Sequence, residues 1–213
     1  QKQPGLYAVA WHPIGGQVDK QAFCDLSAAL AQIPGTELRL SPDQTVYIIN
    51  LNGEEAQRVL ALTADGARSA FECSVSCIGG KTCQVGVRDS QGLLSACVEA
   101  VRAAGVPDGA LPQMYISGCM SSCGTHQTGV IGLRGASKLV DGKPQSAFAL
   151  FVHGESRQGG ETMGRELGTI LESRVPEFVV ELGKTVAASG LSFADWNAQN
   201  PDGLEGIAAP YLA

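Results

Sequence analysis

The sequence lacks the features that mark several common classes of protein. It has no run of about 18 apolar residues, so we expect no membrane-spanning helix. Its 15 basic residues are outnumbered by 21 acidic ones, and the formal net charge of −6 argues against a nucleic-acid partner, since phosphate binding needs a basic face. It also has no Gly-x-Ser-x-Gly segment, which argues against a Ser-His-Asp hydrolase.

The first residues do not predict a secretory signal. The chain begins with Gln1 and no apolar segment follows it, so we expect that the natural start was removed or lies upstream. Without a signal we expect a cytoplasmic location. In such a reducing compartment, cysteines bind metals more often than they form disulfides.

Glycine, by contrast, is abundant, with 27 residues against an average of about 7% of a chain. Four of the seven cysteines lie in two segments rich in glycine and serine, 77–83 and 118–124. Glycine lets a backbone wrap closely around an object, because it has no Cβ. Four thiolates converging from two such loops form the ligand set of a zinc ion or an iron–sulfur cluster.

The spacing of these cysteines favours a cluster. The first pair is Cys77-x5-Cys83, and 35 residues separate it from the second pair, Cys119-x3-Cys123. Structural zinc sites mostly place about two to four residues between paired ligands, so the first spacing is wide for a zinc ion. A larger iron–sulfur cluster accommodates it. Zinc and plain thiols are the alternatives.

The other three cysteines are not assigned as ligands. Cys24 and Cys97 fall in helical patterns among Leu, Ala and Val, which predicts buried, small apolar side chains. Cys73 lies four residues before Cys77, and the sequence does not decide between a core residue and a neighbour of the cluster.

Residues 1–66 predict the order β-α-β-β-α. Strands rich in apolar and β-branched residues alternate with two amphipathic helices, the first capped by Asp19. This order is typical of a ferredoxin-like half-domain. The predicted strands are 6–11, 37–40 and 46–51, and the predicted helices are 20–33 and 54–62.

Residues 67–213 predict an α/β domain around the cysteine segments. The segment 129–135 alternates glycine with other residues, and we interpret it as a broken strand against which a flat ligand could lie. The predicted strands are 71–73, 113–117, 128–135 and 147–152, and the predicted helices are 89–104, 161–168, 175–188 and 193–198.

The cysteine motif and its surroundings resemble one known family. Cys-x5-Cys followed by Gly-Cys-x3-Cys-Gly, with Ile-Gly-Leu-x-Gly downstream at 131–135, looks like the siroheme-dependent nitrite and sulfite reductases. The segments 3–7, 37–44 and 175–179 resemble the same family, so the likeness covers nearly the whole chain.

The resemblance implies a redox enzyme with an α+β fold. A ferredoxin-like half-domain, 1–66, would pack on an α/β siroheme and 4Fe-4S domain, 67–213. Cys123 would be the axial ligand of the siroheme iron. A ferredoxin or flavoprotein would supply electrons for the six-electron reduction of nitrite to ammonia or of sulfite to sulfide. By the same resemblance, the ligands of the 4Fe-4S cluster would be Cys77, Cys83, Cys119 and Cys123.

The likeness is to the C-terminal, cluster-bearing half of a longer chain. This chain is then either part of such a protein or one of the short reductases that have one half per chain. The family's basic residues for the substrate anion come mostly from the other half, so no catalytic residue is assigned, and an N-terminal half or second chain is expected as a partner. Siroheme carries many carboxylates, so cations must gather around it. The candidates are Arg39, Lys81 and Arg134, with Arg88, Lys138 and Arg157 in a wider set.

Two other functions stay open at this point. An electron-transfer module would hold the cluster without siroheme, and precorrin-3B synthase shares these motifs but acts as a monooxygenase on a tetrapyrrole. The sequence does not decide between nitrite and sulfite. The histidines, His12, His126 and His153, are interpreted as structural, although His126 follows the second cysteine segment closely enough to contact a cluster or donate protons.

Overall fold

The computed structural model describes all residues, 1–213, and divides into two compact units. These are Gln1–Arg68 and Ser69–Ala213, so the division falls after Arg68, where the sequence pattern placed it after Gly66. None of the helices is both long enough and apolar enough to span a bilayer.

The first unit is a three-stranded antiparallel sheet with two helices. Its elements are β1 Tyr7–Trp11, α1 Lys20–Leu30, β2 Glu37–Leu40, β3 Val46–Leu51 and α2 Gly53–Leu62. β3 lies in the centre, between β1 and β2. Asp19 begins α1 by accepting hydrogen bonds from two backbone amides, and Asn52 begins α2 through a capping box with Glu55. The predicted β-α-β-β-α order is confirmed.

The core of this unit lies on one face of the sheet. Val9, Trp11 and Ile48 alternate along β1 and β3 and are almost fully buried. They share one apolar cluster with Leu26 of α1 and Val59 of α2, so the two helices pack on the same face. This arrangement is how a small antiparallel sheet buries a core while its other face meets solvent.

The second unit is built on a five-stranded mixed sheet. Its strands are β4 Val75–Ser76, β5 Met114–Ser117, β6 Ile131–Val140, β7 Lys143–Val152 and β8 Arg165–Leu171. They lie side by side in chain order, with β4, β5 and β6 parallel and with β7 antiparallel to both of its neighbours. The helices of this unit are α3 Ser90–Ala103, α4 Val175–Ser189, α5 Phe193–Gln199 and α6 Gly203–Ala208.

Helix α3 connects the parallel strands β4 and β5, as a parallel pair requires. Asp89 caps it by accepting a hydrogen bond from the amide of Gly92 over 2.9 Å. Its buried face includes Leu94, Cys97 and Val98. The helix therefore starts beside the carboxyl end of β4 and is held there by its apolar face.

A long hairpin forms the middle of the sheet. β6 and β7 pair along their whole length, from Ile131 opposite Val152 to Val140 opposite Lys143. The turn is Asp141-Gly142, and both of its residues have positive φ, at 51° and 75°. Such a two-residue turn matches the twist of the strands that it joins.

The edge strand β8 occupies the place of a predicted helix. The helix predicted over 161–168 is wrong, because Arg165–Leu171 pairs with β7 as an antiparallel strand. Gly168 weakens a helix, and the β-branched Thr169 and Ile170 favour an extended backbone. Pairing with β7 therefore determines that this segment is a strand and not a helix.

Two smaller differences concern short elements. The strand predicted over 71–73 is wrong, because these residues form turns and the strand is the two-residue β4 that follows. Helix α6 has no counterpart among the predictions. The helices predicted over 89–104, 175–188 and 193–198 are present as α3, α4 and α5.

Candidate functional site

Both cysteine segments leave the same edge of the five-stranded sheet. β4 and β5 are parallel neighbours, with Ser76 opposite Ile116. Cys77 follows the end of β4, and Gly118 follows the end of β5. Since the carboxyl ends of parallel strands meet at one edge, the two segments start side by side. We call them the first cysteine loop, 77–88, and the second cysteine loop, 118–125.

Backbone hydrogen bonds join the first loop to the start of the second. The amides of Val87 and Arg88 donate to the carbonyl oxygen of Gly118 over 3.1 and 2.9 Å. The first loop also closes on itself, because the Gly80 amide donates to the carbonyl oxygen of Arg88 over 2.7 Å. The two loops therefore hold each other in place through main-chain groups.

Gly118 makes this junction possible. A Cβ at this position would lie 2.7 Å from the carbonyl oxygen of Arg88 and 3.3 Å from the Cα of Gly79. On the other side, a Cβ on Gly135 of β6 would overlap the carbonyl oxygen of Gly118. The approach of the two loops and β6 therefore requires glycine at both positions.

The glycines of 129–135 do not leave a flat surface for a ligand, and that prediction is wrong. The space that a Cβ would take at each glycine is already filled by the protein itself. The ring of Tyr115 fills this space at the first glycine of the segment. The carbonyl oxygen of His126 fills it at the second, and the carbonyl oxygen of Gly118 fills it at the third. These glycines serve the close packing of the chain's own backbone.

The four thiols predicted as ligands are free. Cys77, Cys83 and Cys119 are partly buried, and Cys123 is exposed. No three Cys, His, Asp or Glu side chains lie close enough together to surround a single metal ion. Four thiols from two adjoining, glycine-rich loops are a donor set that fits a 4Fe-4S cluster, whose ligands stand farther apart than those of one ion.

The predictions for the remaining cysteines have different outcomes. Cys97 is buried as predicted, and burial raises the pKa of its thiol to about 12. The prediction for Cys24 is wrong, because its side chain is exposed. Leu26 and Leu30 form the buried face of α1, and a residue two positions from Leu26 points away from that face. Cys73 is partly buried.

Cys77 is held by several hydrogen bonds. The amide of Gly118 donates to Cys77 Sγ over 3.1 Å, and Ser90 Oγ lies 3.2 Å from the same sulfur. Ser90 Oγ also lies 2.8 Å from the carbonyl oxygen of Cys77, to which Gln91 Nε2 donates over 3.1 Å. The first turn of α3 thus fixes both the backbone and the sulfur of this residue.

A buried histidine lies behind the second loop. Ser117 Oγ accepts from the amide of Gly124 over 3.1 Å and lies 3.0 Å from His126 Nδ1. The His126 ring packs edge-on to Phe151, with centroids 4.7 Å apart. Burial, and then the charge of Arg134, lower the pKa of His126 to about 4. The ring is therefore neutral near pH 7, which makes it a support for the loop and a poor source of protons.

Two cations, Lys81 and Arg88, belong to the first loop. Lys81 pairs with Asp89 over 2.8 Å, and this hydrogen bond raises the pKa of the lysine. Arg88 Nε is buried and has no hydrogen-bond partner, so it has a proton to donate to an acceptor. An open pocket of about 350 Å³ lies here. Its lining consists of Gly80, Lys81, Gly86, Val87, Arg88, Asp89, Ser146 and Glu172.

The other two predicted siroheme contacts are paired with carboxylates. Arg134 lies 3.0 Å from Glu166 and stacks over the ring of Phe151 at 5.1 Å. Arg39, in the first unit, lies 3.0 Å from Glu37, and 65% of its side chain is exposed. A pair as open to solvent as that of Arg39 is weak and exchanges partners readily.

Comparison with known proteins identifies relatives of this chain. No protein-family model matches the chain. The chloroplastic ferredoxin–nitrite reductase of Zea mays is 31% identical over 164 residues, which is 72% of this chain. The ferredoxin–nitrite reductase of Synechococcus elongatus is 29% identical over 164 residues, or 73% of this chain. The chain belongs to the nitrite and sulfite reductase family.

These nitrite reductases are much longer than the chain. It spans 28% of the maize enzyme and 31% of the cyanobacterial one. Among solved structures, the Mycobacterium tuberculosis NirA protein matches with a TM-score of 0.74 over 92% of this chain and 38% of its own, at 21% identity. The structural match shows that this chain and the NirA protein share a fold.

Sequence reasoning missed the residues that support Cys77 in this member of the nitrite and sulfite reductase family. The sequence predicts Ser90 and Gln91 only as the start of a helix, and Gly118 only as part of a glycine-rich segment. No local signal marks their role, because it depends on α3 starting beside the end of β4. The one available hint is two polar residues in the first turn of the helix that follows the first cysteine loop.

Proposed function

We propose that this chain is the siroheme- and 4Fe-4S-binding part of a nitrite or sulfite reductase, equivalent to the C-terminal half of the longer members. The proposal depends on one observation above all. Two cysteine loops meet at one edge of a sheet and are joined through Gly118 by main-chain hydrogen bonds. A scaffold of this kind would present four thiols from two adjoining loops.

The proposed ligands of the 4Fe-4S cluster are Cys77, Cys83, Cys119 and Cys123. Cys123, whose side chain is exposed, would also ligate the siroheme iron. The bound groups supply the electron transfer for reducing nitrite to ammonia or sulfite to sulfide. The chain itself contributes position, since Gly118 sets the distance between the loops and Ser117 holds the second loop from behind.

The chain also contributes positive charge for the siroheme carboxylates. Lys81 and Arg88 flank the pocket beside the first loop and are the best placed for this role. Arg39 and Arg134, each paired with a carboxylate, are proposed as further contacts. No catalytic residue is assigned.

The proposed electron donor is ferredoxin, with a flavoprotein as the alternative. Ferredoxin and nitrite are favoured because the curated relatives are named ferredoxin–nitrite reductases. The chain spans 28% of the maize enzyme, so an N-terminal half or a second chain would complete the anion site. The proposed location is the cytoplasm.

An optical spectrum of the anaerobically purified chain, combined with a reduced-viologen assay, tests the proposal. We expect Soret-type and visible bands from siroheme above cluster absorption, and consumption of nitrite or sulfite once the missing half is supplied. A cluster without tetrapyrrole bands would replace the proposal with an electron-transfer module. Oxygenation of a tetrapyrrole substrate would indicate a relative of precorrin-3B synthase, and zinc without sulfide a structural zinc domain.

A further inference from the structure

The hydroxyl of Ser90 lies against the sulfur of a proposed cluster ligand. Ser90 is the first residue of α3 and is fully buried. Its Oγ is 3.2 Å from Cys77 Sγ and 2.8 Å from the Cys77 carbonyl oxygen. A buried hydroxyl in contact with both groups has no solvent to compete for its hydrogen.

The hydroxyl has one hydrogen and two acceptors to choose from. While Cys77 is a thiol, its S–H can donate to Ser90 Oγ and the hydroxyl can donate to the carbonyl oxygen. A metal-bound sulfur has lost that proton and becomes an acceptor. The carbonyl oxygen then keeps a donor in Gln91 Nε2, at 3.1 Å, so the hydroxyl of Ser90 is released to turn to the sulfur.

We propose that Ser90 is a positioning residue that donates a hydrogen bond to the metal-bound sulfur of Cys77 and raises the reduction potential of the cluster. This inference rests on the proposed function. Reduction adds negative charge to a cluster and its sulfurs, and a donor aimed at sulfur stabilises the reduced state. The amide of Gly118, at 3.1 Å from the same sulfur, acts in the same direction.

The effect is local to one ligand. Cys77 Sγ lies within reach of both an amide and a hydroxyl, whereas Cys123 Sγ makes only a 4.0 Å contact, with the carbonyl oxygen of Ser121. Ser90 thereby distinguishes the Cys77 corner of the cluster from the Cys123 corner, where siroheme would attach.

A redox titration of the full chain with its cluster, followed by electron paramagnetic resonance, measures the effect. We expect Ser90→Ala to make the reduction equilibrium about tenfold less favourable, which is about 59 mV for a one-electron couple. Ser90→Thr keeps the hydroxyl and should restore the potential. Ser74→Ala is the matched control, because Ser74 is equally buried and its hydroxyl bonds backbone groups of Phe71 and Met114 and not a proposed ligand.

A second variant keeps the test valid if Ser90→Ala does not fold. Ser76→Ala and Gln91→Leu together remove both other donors to the Cys77 carbonyl oxygen, so the hydroxyl of Ser90 stays on that oxygen and the potential should fall although Ser90 is intact. If the cluster is present, two results would overturn the inference. One is an unchanged reduction potential in both variants, and the other is a shift in Ser74→Ala as large as that in Ser90→Ala. A wild-type chain that holds no cluster would instead overturn the proposed function together with it.

Discussion

At the scale of single residues, Cys24 and Cys123 are two exposed thiols with different expected roles. Cys123→Ser should abolish siroheme attachment and lower turnover by more than about 100-fold, because the loss of a residue that merely supports a ligand already costs about 10- to 100-fold. Cys24→Ser should leave siroheme attachment and turnover within about twofold of the wild-type values. Tetrapyrrole absorbance per chain and the viologen assay measure the difference. Equal damage from the two substitutions would contradict the assignment of the ligand.

Gly118 offers a second matched pair, with Gly206 as its control. The Cβ added by Gly118→Ala would lie 2.7 Å from a backbone oxygen, so we expect it to lower the free energy of unfolding by about 1–3 kcal/mol and to lower the iron content. A Cβ on Gly206, within helix α6, meets nothing within 4 Å, and Gly206→Ala should stabilise the chain by up to about 1 kcal/mol. Urea unfolding and iron analysis of both variants check this. A Gly118→Ala chain with normal iron content would contradict the proposed junction.

The sequence shows which residue types are present, but it does not show what their side chains meet. The cysteine spacing was enough to predict a cluster and to place its candidate ligands in loops. The same sequence shows glycines at 129–135, yet only the fold reveals that a tyrosine ring and the chain's own carbonyl groups fill the space above them. The hydroxyl of Ser90 is a similar case, because its contact with Cys77 crosses from a helix to a loop.

At the scale of elements, one carboxylate ties helix α6 to the sheet. Glu205 of α6 lies 2.8 Å from the ring nitrogen Nε2 of His153 and also pairs with Arg165 of β8. Burial opposes ionisation of Glu205, but the hydrogen bond from His153, a backbone hydrogen bond and the nearby charges outweigh it and lower the pKa of the carboxyl group. The ionised form is therefore favoured in the folded protein.

The stability that this carboxylate contributes depends on pH. A pKa lowered by folding gives a contribution that is complete above the unfolded pKa, near 4.5, and that disappears as the pH falls through the folded pKa. Glu205→Gln should lower the free energy of unfolding by about 1–3 kcal/mol near pH 7, and the gap to wild type should close progressively below pH 4.5.

Urea unfolding at several pH values measures this gap, and Glu99→Gln, an exposed change on α3, is the control. A constant difference at all pH values would show that the substitution acts through packing and not through charge.

The sequence predicts the helices that have strong local signals, such as capping residues. It does not predict the strands that depend on pairing with a neighbouring strand. The capping residue Asp19 marks the start of its helix correctly. Asp141-Gly142 is a strong hairpin signal, but the hairpin was not predicted, because the polar stretch on either side hides the strands. Strand β8 is an edge strand that depends on β7 for its hydrogen bonds, so its sequence gives little sign of it.

At the scale of the whole molecule, the chain is two compact units in a family whose curated members are about three times as long, since it spans 28% of the maize reductase. The proposal therefore assigns to this chain the cluster and the siroheme ligand, and it assigns part of the anion site to another half. Mixing the chain with a separately produced N-terminal half of a related reductase should raise viologen-dependent turnover, whereas an unrelated acidic protein should not. Full turnover without any addition would contradict this division of the active site.

The binding of a 4Fe-4S cluster by the two cysteine loops is the central claim. Iron and acid-labile sulfide analysis of the full chain, purified and reconstituted without oxygen, tests it most directly. We predict about four irons and about four sulfides per chain, lost together when Cys83 and Cys119 are both replaced by serine. About one zinc per chain without sulfide, or a folded chain that takes up no iron, would contradict the claim.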